Sequence, residues 1–150
     1  MKKFILLFAV LSSYFVVHAQ ATVQSVAGVY QRNLINTTDN NIIYTLNLKA
    51  DGTFEFHSYD KFQLGTPKNS RFNERNQYAK GSWKLDEKVV TFSTASTDFD
   101  EKFTLDFDTS KARFISKHPR DKSDKVVETA LRFYESKIFW IEHLYILKID

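Results

Sequence analysis

The side chains able to do chemistry are few, and they are scattered. Past residue 20 the only histidines are His57, His118 and His143. No two of them stand at a spacing that one strand or helix could use to hold a metal, so no metal site is expected. The densest acidic stretch, Asp98, Asp100, Glu101, Asp106 and Asp108, invites comparison with a calcium loop or with the carboxylate pair of a glycosidase. Asp106 and Asp108 flank Phe107, however, which places them on an outer, solvated face. The stretch also lacks the glycine and the regular oxygen spacing of a calcium loop. Serine occurs without Gly-x-Ser-x-Gly and without a recognisable histidine and acid. Cysteine is absent and the four glycines are isolated, which leaves neither a thiolate nucleophile nor a phosphate-cradling loop. The expectation is a chain without catalytic residues, not an enzyme, that needs no cofactor.

The cations are more suggestive. Segment Asp60 to Asn76 holds Lys61, Lys68, Arg71 and Arg75 against Asp60 and Glu74, and segment Lys117 to Lys125 holds Lys117, Arg120, Lys122 and Lys125 against Asp121 and Asp124, a surplus of +2 in each. Arg71, Arg75, Arg120 and Lys122 are candidate contacts for a carboxylate or phosphate, which guanidinium groups bind in a bidentate fork. Against this stands the ordinary solvated charge cluster. Arg32 shares the face of Gly28, Tyr30 and Leu34 on strict alternation. If that face is the inner one, Arg32 is a structural residue paired or stacked on Trp83 or Tyr44; if Ala27, Val29 and Ile35 mark the inside, it is solvated.

The elements that must position these groups are strands. Aromatic residues make up 15% of the chain, with 14 Phe and only two Pro, and apolar positions recur with the period of half-buried strands. Nine strands are predicted: Gly28 to Ile35, Ile42 to Lys49, Thr53 to Tyr59, Gln77 to Leu85, Lys88 to Thr94, Glu101 to Asp108, Lys111 to Ser116, Val126 to Tyr134 and Ile138 to Ile149. Ile42, Tyr44, Leu46 and Leu48 share one face, and so do Phe54 and Phe56. Phe99, Phe103, Leu105 and Phe107 would do the same in the sixth strand. One dry and one wet face suit an antiparallel sheet around a core.

Connections alternate between long and short. Ala50-Asp51-Gly52, Asp86-Glu87, Thr109-Ser110 and Glu135-Ser136 read as tight turns, the first carrying an Asp-Gly signal. Asn36 to Asn41, Asp60 to Asn76, Thr94 to Asp100 and Lys117 to Lys125 are longer and polar. In an up-and-down meander every second connection lies at the same end, so the four long loops would share one rim, whose total charge is only +1. The expected fold is all-β: a closed antiparallel up-and-down (meander) barrel of about 8–10 strands, forming a single domain over residues 20–150.

Residues 1–19 read as a signal peptide. Lys2 and Lys3 precede an apolar run from Phe4 to Val17, and Val17-His18-Ala19 fits cleavage before Gln20. The run is too short for a spanning helix, which needs roughly 20 residues, so no stable membrane anchor is expected. Without cysteine there is no lipid-modified anchor residue, and the product is expected to be exported, periplasmic or secreted, and not a lipoprotein. Of the net charge of +3, Lys2 and Lys3 account for two units, leaving 19 basic against 18 acidic residues. That balance argues against a nucleic-acid partner, which calls for concentrated basic surface. Asn36-Thr37-Thr38 matches the glycosylation acceptor pattern; with a bacterial style of signal we take it as chance.

Gly28-Val29-Tyr30, the run Leu46 to Phe54 across the first hairpin, and Gly81-Ser82-Trp83-Lys84-Leu85 together resemble the lipocalin-like group, the calycin superfamily in the broad sense. The resemblance covers the first half of the mature chain. It departs from the lipocalin pattern at Tyr30, where a Gly-x-Trp would place tryptophan. The Gly-x-Trp at Gly81 to Trp83 is similar to that of small bacterial envelope barrels linked to copper and surface stress, which carry the cysteines and lipid anchor this chain lacks. In lipocalin-like barrels a cation and aromatic pair closes one barrel end, which would be the part of Arg32.

Two functions follow as expectations. In the first, the barrel binds a small apolar or amphipathic molecule through the rim of long loops, with Tyr44, Phe54, Phe56, Trp83, Phe103 and Phe107 facing inward as the ligand-binding lining. In the second, the barrel is solid and loops 60–76 and 117–125 contact an envelope or extracellular protein. An eight-stranded barrel is just wide enough for either its own side chains or one ligand, so the interior decides.

Overall fold

The computed structural model describes residues 21–37, 40–65 and 71–149. The expected signal peptide, Thr38 and Lys68 lie outside the described residues. A short helix α1 (Val23–Val26) leads into eight strands: β1 (Gly28–Asn36), β2 (Asn41–Leu48), β3 (Thr53–Leu64), β4 (Arg71–Asp86), β5 (Val89–Ser93), β6 (Lys111–Ile115), β7 (Ala130–Glu135) and β8 (Tyr145–Lys148). Each pairs antiparallel with the next, and β8 returns to β1, closing the barrel in sequence order. The expected meander barrel is the fold of the chain.

Alternation drives the closure. In β2, Tyr44, Leu46 and Leu48 are buried, and opposite them in β3 lie Ser58, Phe56 and Phe54, also buried. The turn between them is built as its residues dictate: Gly52 takes φ of 86°, and the Asp51 carboxylate accepts from the Thr53 amide at 2.8 Å and from its hydroxyl at 2.7 Å. The lower end is shut by α1. Thr22 and Ser25 cap each other reciprocally, the Tyr30 hydroxyl donates to the Val26 carbonyl at 2.6 Å, and Trp83 donates its ring N–H to the Lys49 carbonyl at 3.0 Å.

Five phenylalanines fill the middle. Phe54, Phe56, Phe92 and Phe133 surround Phe107 with ring centroids 4.9–6.2 Å from its own, and all five are fully buried. Above them Trp140 stacks on Tyr44 at 5.1 Å and tilts against Phe56 at 6.0 Å. At this level the barrel holds its own side chains.

The predicted sixth strand, Glu101 to Asp108, does not enter the barrel, because β5 pairs directly with β6: Val89 faces Arg113 and Thr91 faces Lys111. The chain between them instead makes an excursion. It leaves at Thr94 and its backbone joins β4 at one parallel bridge, Tyr78 to Phe103. It returns to Thr94, whose hydroxyl accepts from the Phe107 amide at 3.1 Å. Phe107 then plugs the core while Phe103, expected inside, lies half-buried on the outer surface. Phe103 and Phe107 share a parity, and strict alternation would put both on one side; the chain between them is not a paired strand, so the period of two does not carry from one to the other.

Losing that strand reassigns the ends. β1, β3, β5 and β7 finish at the upper end, to which 94–110 and 136–144 belong, and β2, β4 and β6 finish at the lower, which holds 49–52, 87–88 and 116–129. The loop Lys117 to Lys125 therefore stands opposite the long loops with which it was expected to share a rim. Glu135 ends β7 and Ser136 opens connection 136–144, so the pair is not a hairpin, and of Ile138 to Ile149 only Tyr145–Lys148 forms a strand. Most of Asp60 to Asn76 is strand rather than loop.

The turn that delivers Phe107 contains Thr109 at φ of 63°, a conformation in which a β-branched side chain is strained by roughly 1–2 kcal/mol. Replacing Thr109 with Gly should raise stability by about 0.5–1 kcal/mol after the greater freedom of glycine in the unfolded chain is deducted. A urea melt checks this, and an unchanged or lower midpoint would contradict the strain.

Candidate functional site

The barrel has a tall wall and a low one. β3 and β4 pair without interruption from Thr53 opposite Ser82 to Leu64 opposite Arg71. On one side β2 accompanies β3 only as far as Lys61, and on the other β5 accompanies β4 only as far as Ser82. The top of this hairpin is thus a projecting arm. Leu64 and Phe72 on it are 56% and 51% exposed, and Lys61 sits 4.5 Å over the Phe72 ring.

One edge of the arm is open. The Tyr78 carbonyl points away from β3, since it accepts from the amides of Thr104 and Leu105, both at 3.1 Å. The β3–β4 register contains no bulge, so the N–H and C=O groups of Asn76, Glu74 and Phe72 point the same way. Among the described residues no strand pairs with them. The corresponding upper edge of β1 is blunted by a register shift between Asn33 and Ile35.

The concave face of the wall forms the mouth. Asp60, only 4% exposed, is satisfied within the chain: Arg75 reaches its Oδ2 from Nε at 3.1 Å and from Nη2 at 2.5 Å, and the Ser58 hydroxyl donates to Oδ1 at 3.2 Å. Burial, and then the Asp60 charge, push the Tyr44 phenol above its usual range. Arg32 is the register partner of Tyr44, which puts it in the inner row with Tyr30. Trp83 lies at the lower end against α1, so of the two aromatic partners considered for Arg32 only Tyr44 is its neighbour.

Outside the wall, His57 stacks on Tyr78 with ring centroids 4.4 Å apart and bonds Asn76 Oδ1 through Nε2 at 2.8 Å. With Phe103 and Lys102 they line a shallow cleft of about 160 Å³. Lys80 lies 4.4 Å from the Phe103 ring centre and Lys102 4.5 Å from that of Tyr78, so the chain's own cations already occupy the ring faces. Asp100 ties the excursion down. The amides of Phe103 and Lys102 and the Lys80 ammonium hold its carboxyl at about 2. A lowered folded value means that this anchoring is complete above the ordinary carboxyl value near 3.8 and is lost as pH falls through about 2. Protection of the Thr104 and Leu105 amides, taken relative to the intrinsic exchange rate at each pH, should therefore fall between about pH 4 and 2, and Asp100→Asn should reproduce that loosening at neutral pH. Protection indifferent to both would show that the tether is idle.

Of the side chains expected to line a cavity, Tyr44, Phe54, Phe56 and Phe107 come together inside, Trp83 sits at the opposite, closed end, and Phe103 is outside. Of the candidate anion contacts, Arg71 and Arg75 share the arm, with Arg75 engaged by Asp60. Arg120 and Lys122 are exposed on 116–129 at the far end, so the four make no joint clamp. His57, His118 and His143 stand on three separate elements, and among the described residues no group of three or more histidine or acidic side chains could hold a metal ion. The open edge of β4 was not foreseen; the signal for it was a run, Arg71 to Asn76, that continues β4 without the partner length on the β5 side. No family model, curated protein or solved structure matches the chain.

Proposed function

We propose that the chain is an exported barrel of the lipocalin-like kind that acts as a solid interaction module, contacting an envelope or extracellular protein through the β3–β4 arm. The observation that carries this reading is the filled interior: Phe107, surrounded by four other rings, occupies the position a carried ligand would take. What remains available is the exterior, and there the arm exposes Leu64 on the face of Arg71 and Phe72 on the opposite face, so that a partner gripping the arm meets an apolar side chain on each side. The loop 117–125 lies at the other end and is not part of this surface.

Partner retrieval by crosslinking in the native envelope or culture fluid, compared between wild type and a Leu64→Ser/Phe72→Ser variant, tests the arm. Partners should be lost with the variant while its melting curve stays within about 0.5 kcal/mol of wild type, as for surface changes. Retention of the same partners would rule out the arm. Native mass spectrometry of the purified protein should show the bare mass; a stoichiometric small-molecule adduct would point back to a carrier.

One observation favours a second reading, in which a small amphipathic anion rests at the mouth rather than in the interior. Arg32, in the inner row beside Tyr44, stands where Trp140 and Tyr44 form an aromatic floor. Titration with dodecanoate, followed by tryptophan fluorescence, tests it: a saturable change in wild type that disappears in Arg32→Gln supports the mouth site, and a flat titration excludes it for this class.

A further inference from the structure

We propose that the open edge of β4, from Phe72 to Asn76, receives an extended acidic segment of the partner protein as an added β-strand. This rests on the arm being the contact surface and specifies how contact is made. The edge offers N–H and C=O groups at Phe72, Glu74 and Asn76, enough for a short ladder, and strand addition of this kind draws affinity from the main chain and selectivity from alternate side chains. The molecule already uses this edge in the same way lower down, where Thr104 and Leu105 both donate to the Tyr78 carbonyl at 3.1 Å. An incoming strand would continue the same edge upward.

A second copy of the chain is a poor occupant. Residues whose backbone groups face the edge must pair with residues of the same kind, so a two-fold antiparallel pair has few registers. The one centred on Glu74 sets Glu74 against Glu74. Pairing Phe72 with Glu74 sets Arg71 against Arg75, and pairing Glu74 with Asn76 sets Arg75 against Arg75. Every two-fold register that pairs more than one of the three edge residues opposes like charges, which is destabilising in a sheet.

Charge selects the acidic partner. On the concave side the odd-numbered residues Arg71, Asn73, Arg75 and Gln77 flank the edge. Asp60 engages one edge of the exposed Arg75 guanidinium, and Lys61 lies over the Phe72 ring. Arg71 makes no ion pair among the described residues, and it stands at the end where an added strand would enter. An extended segment that places an Asp or Glu opposite Arg71, with apolar residues alternating on the side of Phe72, satisfies both faces.

The probes are two labelled octapeptides, one alternating Asp and Val and one alternating Lys and Val, tested by fluorescence anisotropy on the full mature chain. The Asp peptide should bind and the Lys peptide should not. Glu74→Pro, which removes one edge N–H, should weaken binding by about fivefold, the loss of one hydrogen bond, and Arg71→Glu should transfer the preference to the Lys peptide. On wild type, saturating Asp peptide should slow amide exchange at Phe72, Glu74 and Asn76 and leave Asn73 and Arg75 unchanged, a readout that does not depend on any variant folding. Protection spread evenly over the arm, unchanged affinity in Glu74→Pro, or no preference between the peptides would overturn strand addition. Those results would leave the arm as a contact surface intact, since that reading stands or falls with the Leu64→Ser/Phe72→Ser variant.

Discussion

Truncating Phe107 to alanine is expected to lower the unfolding free energy by about 3–5 kcal/mol, the range for removing a buried phenylalanine ring. The ring is fully buried and meets Phe54, Phe56, Phe92 and Phe133, so the hole left behind is walled by strand side chains that cannot collapse far. The matched control is Phe103→Ala in the same excursion. Phe103 lies half-buried outside the barrel against Tyr78, at a ring distance of 6.1 Å, and its loss should amount to about 1 kcal/mol, nearer the value for a partly exposed aromatic contact. Denaturant unfolding of the two variants gives the comparison. Similar losses at both positions, or a near-neutral Phe107→Ala, would mean that the interior is not held by this plug, and a hollow barrel would return as the better description.

Gly81→Ala should be nearly as damaging for the opposite reason. Gly81 lies in the inward row of β4 with Ala79 and Trp83. A Cβ placed there would fall inside contact distance of the Ser93 carbonyl oxygen and 3.0 Å from Phe54 Cε1. The Phe54 ring is pinned by Phe92 and Phe107, and the carbonyl belongs to the last residue of β5, whose register partner is Ser82. Neither can give way without separating β4 from β5 where the ladder ends. Overpacking of this kind commonly costs about 1–3 kcal/mol, and more where backbone must move; we expect the upper part of that range, read as a loss of melting temperature. A variant as stable as wild type would show that β5 can shift, and it would remove the close approach as the reason for glycine here.

Much of this architecture is legible residue by residue. The alternation Tyr44, Leu46, Leu48 and Phe54, Phe56 states which faces are buried, because a strand has a side-chain period of two and nothing else in those runs competes. Asp51-Gly52 marks its turn, because glycine reaches φ of 86° without a Cβ clash. In Phe103, Leu105 and Phe107 the same alternation misleads. It occurs in a barrel strand, but also in an unpaired segment that bridges to Tyr78 outside β4 at Phe103 and then turns Phe107 into the core. Hydrogen-bond pairing distinguishes the two, and pairing partners are remote in sequence.

That single strand also governs the candidate site. In a meander each strand reverses the direction of the chain, so removing one strand exchanges the ends of every connection after it. Arg120 and Lys122 pass to the lower end by this parity alone, leaving Arg71 and Arg75 without them. By itself, then, the sequence determined the class of element, the buried faces and the closed antiparallel meander, all of which follow from local periodicity and turn chemistry. The tertiary structure decided that the interior is filled, that β3 and β4 outgrow their neighbours, and that an edge is left open above Tyr78. These depend on relative strand lengths and long-range register, quantities that no local stretch of the chain encodes.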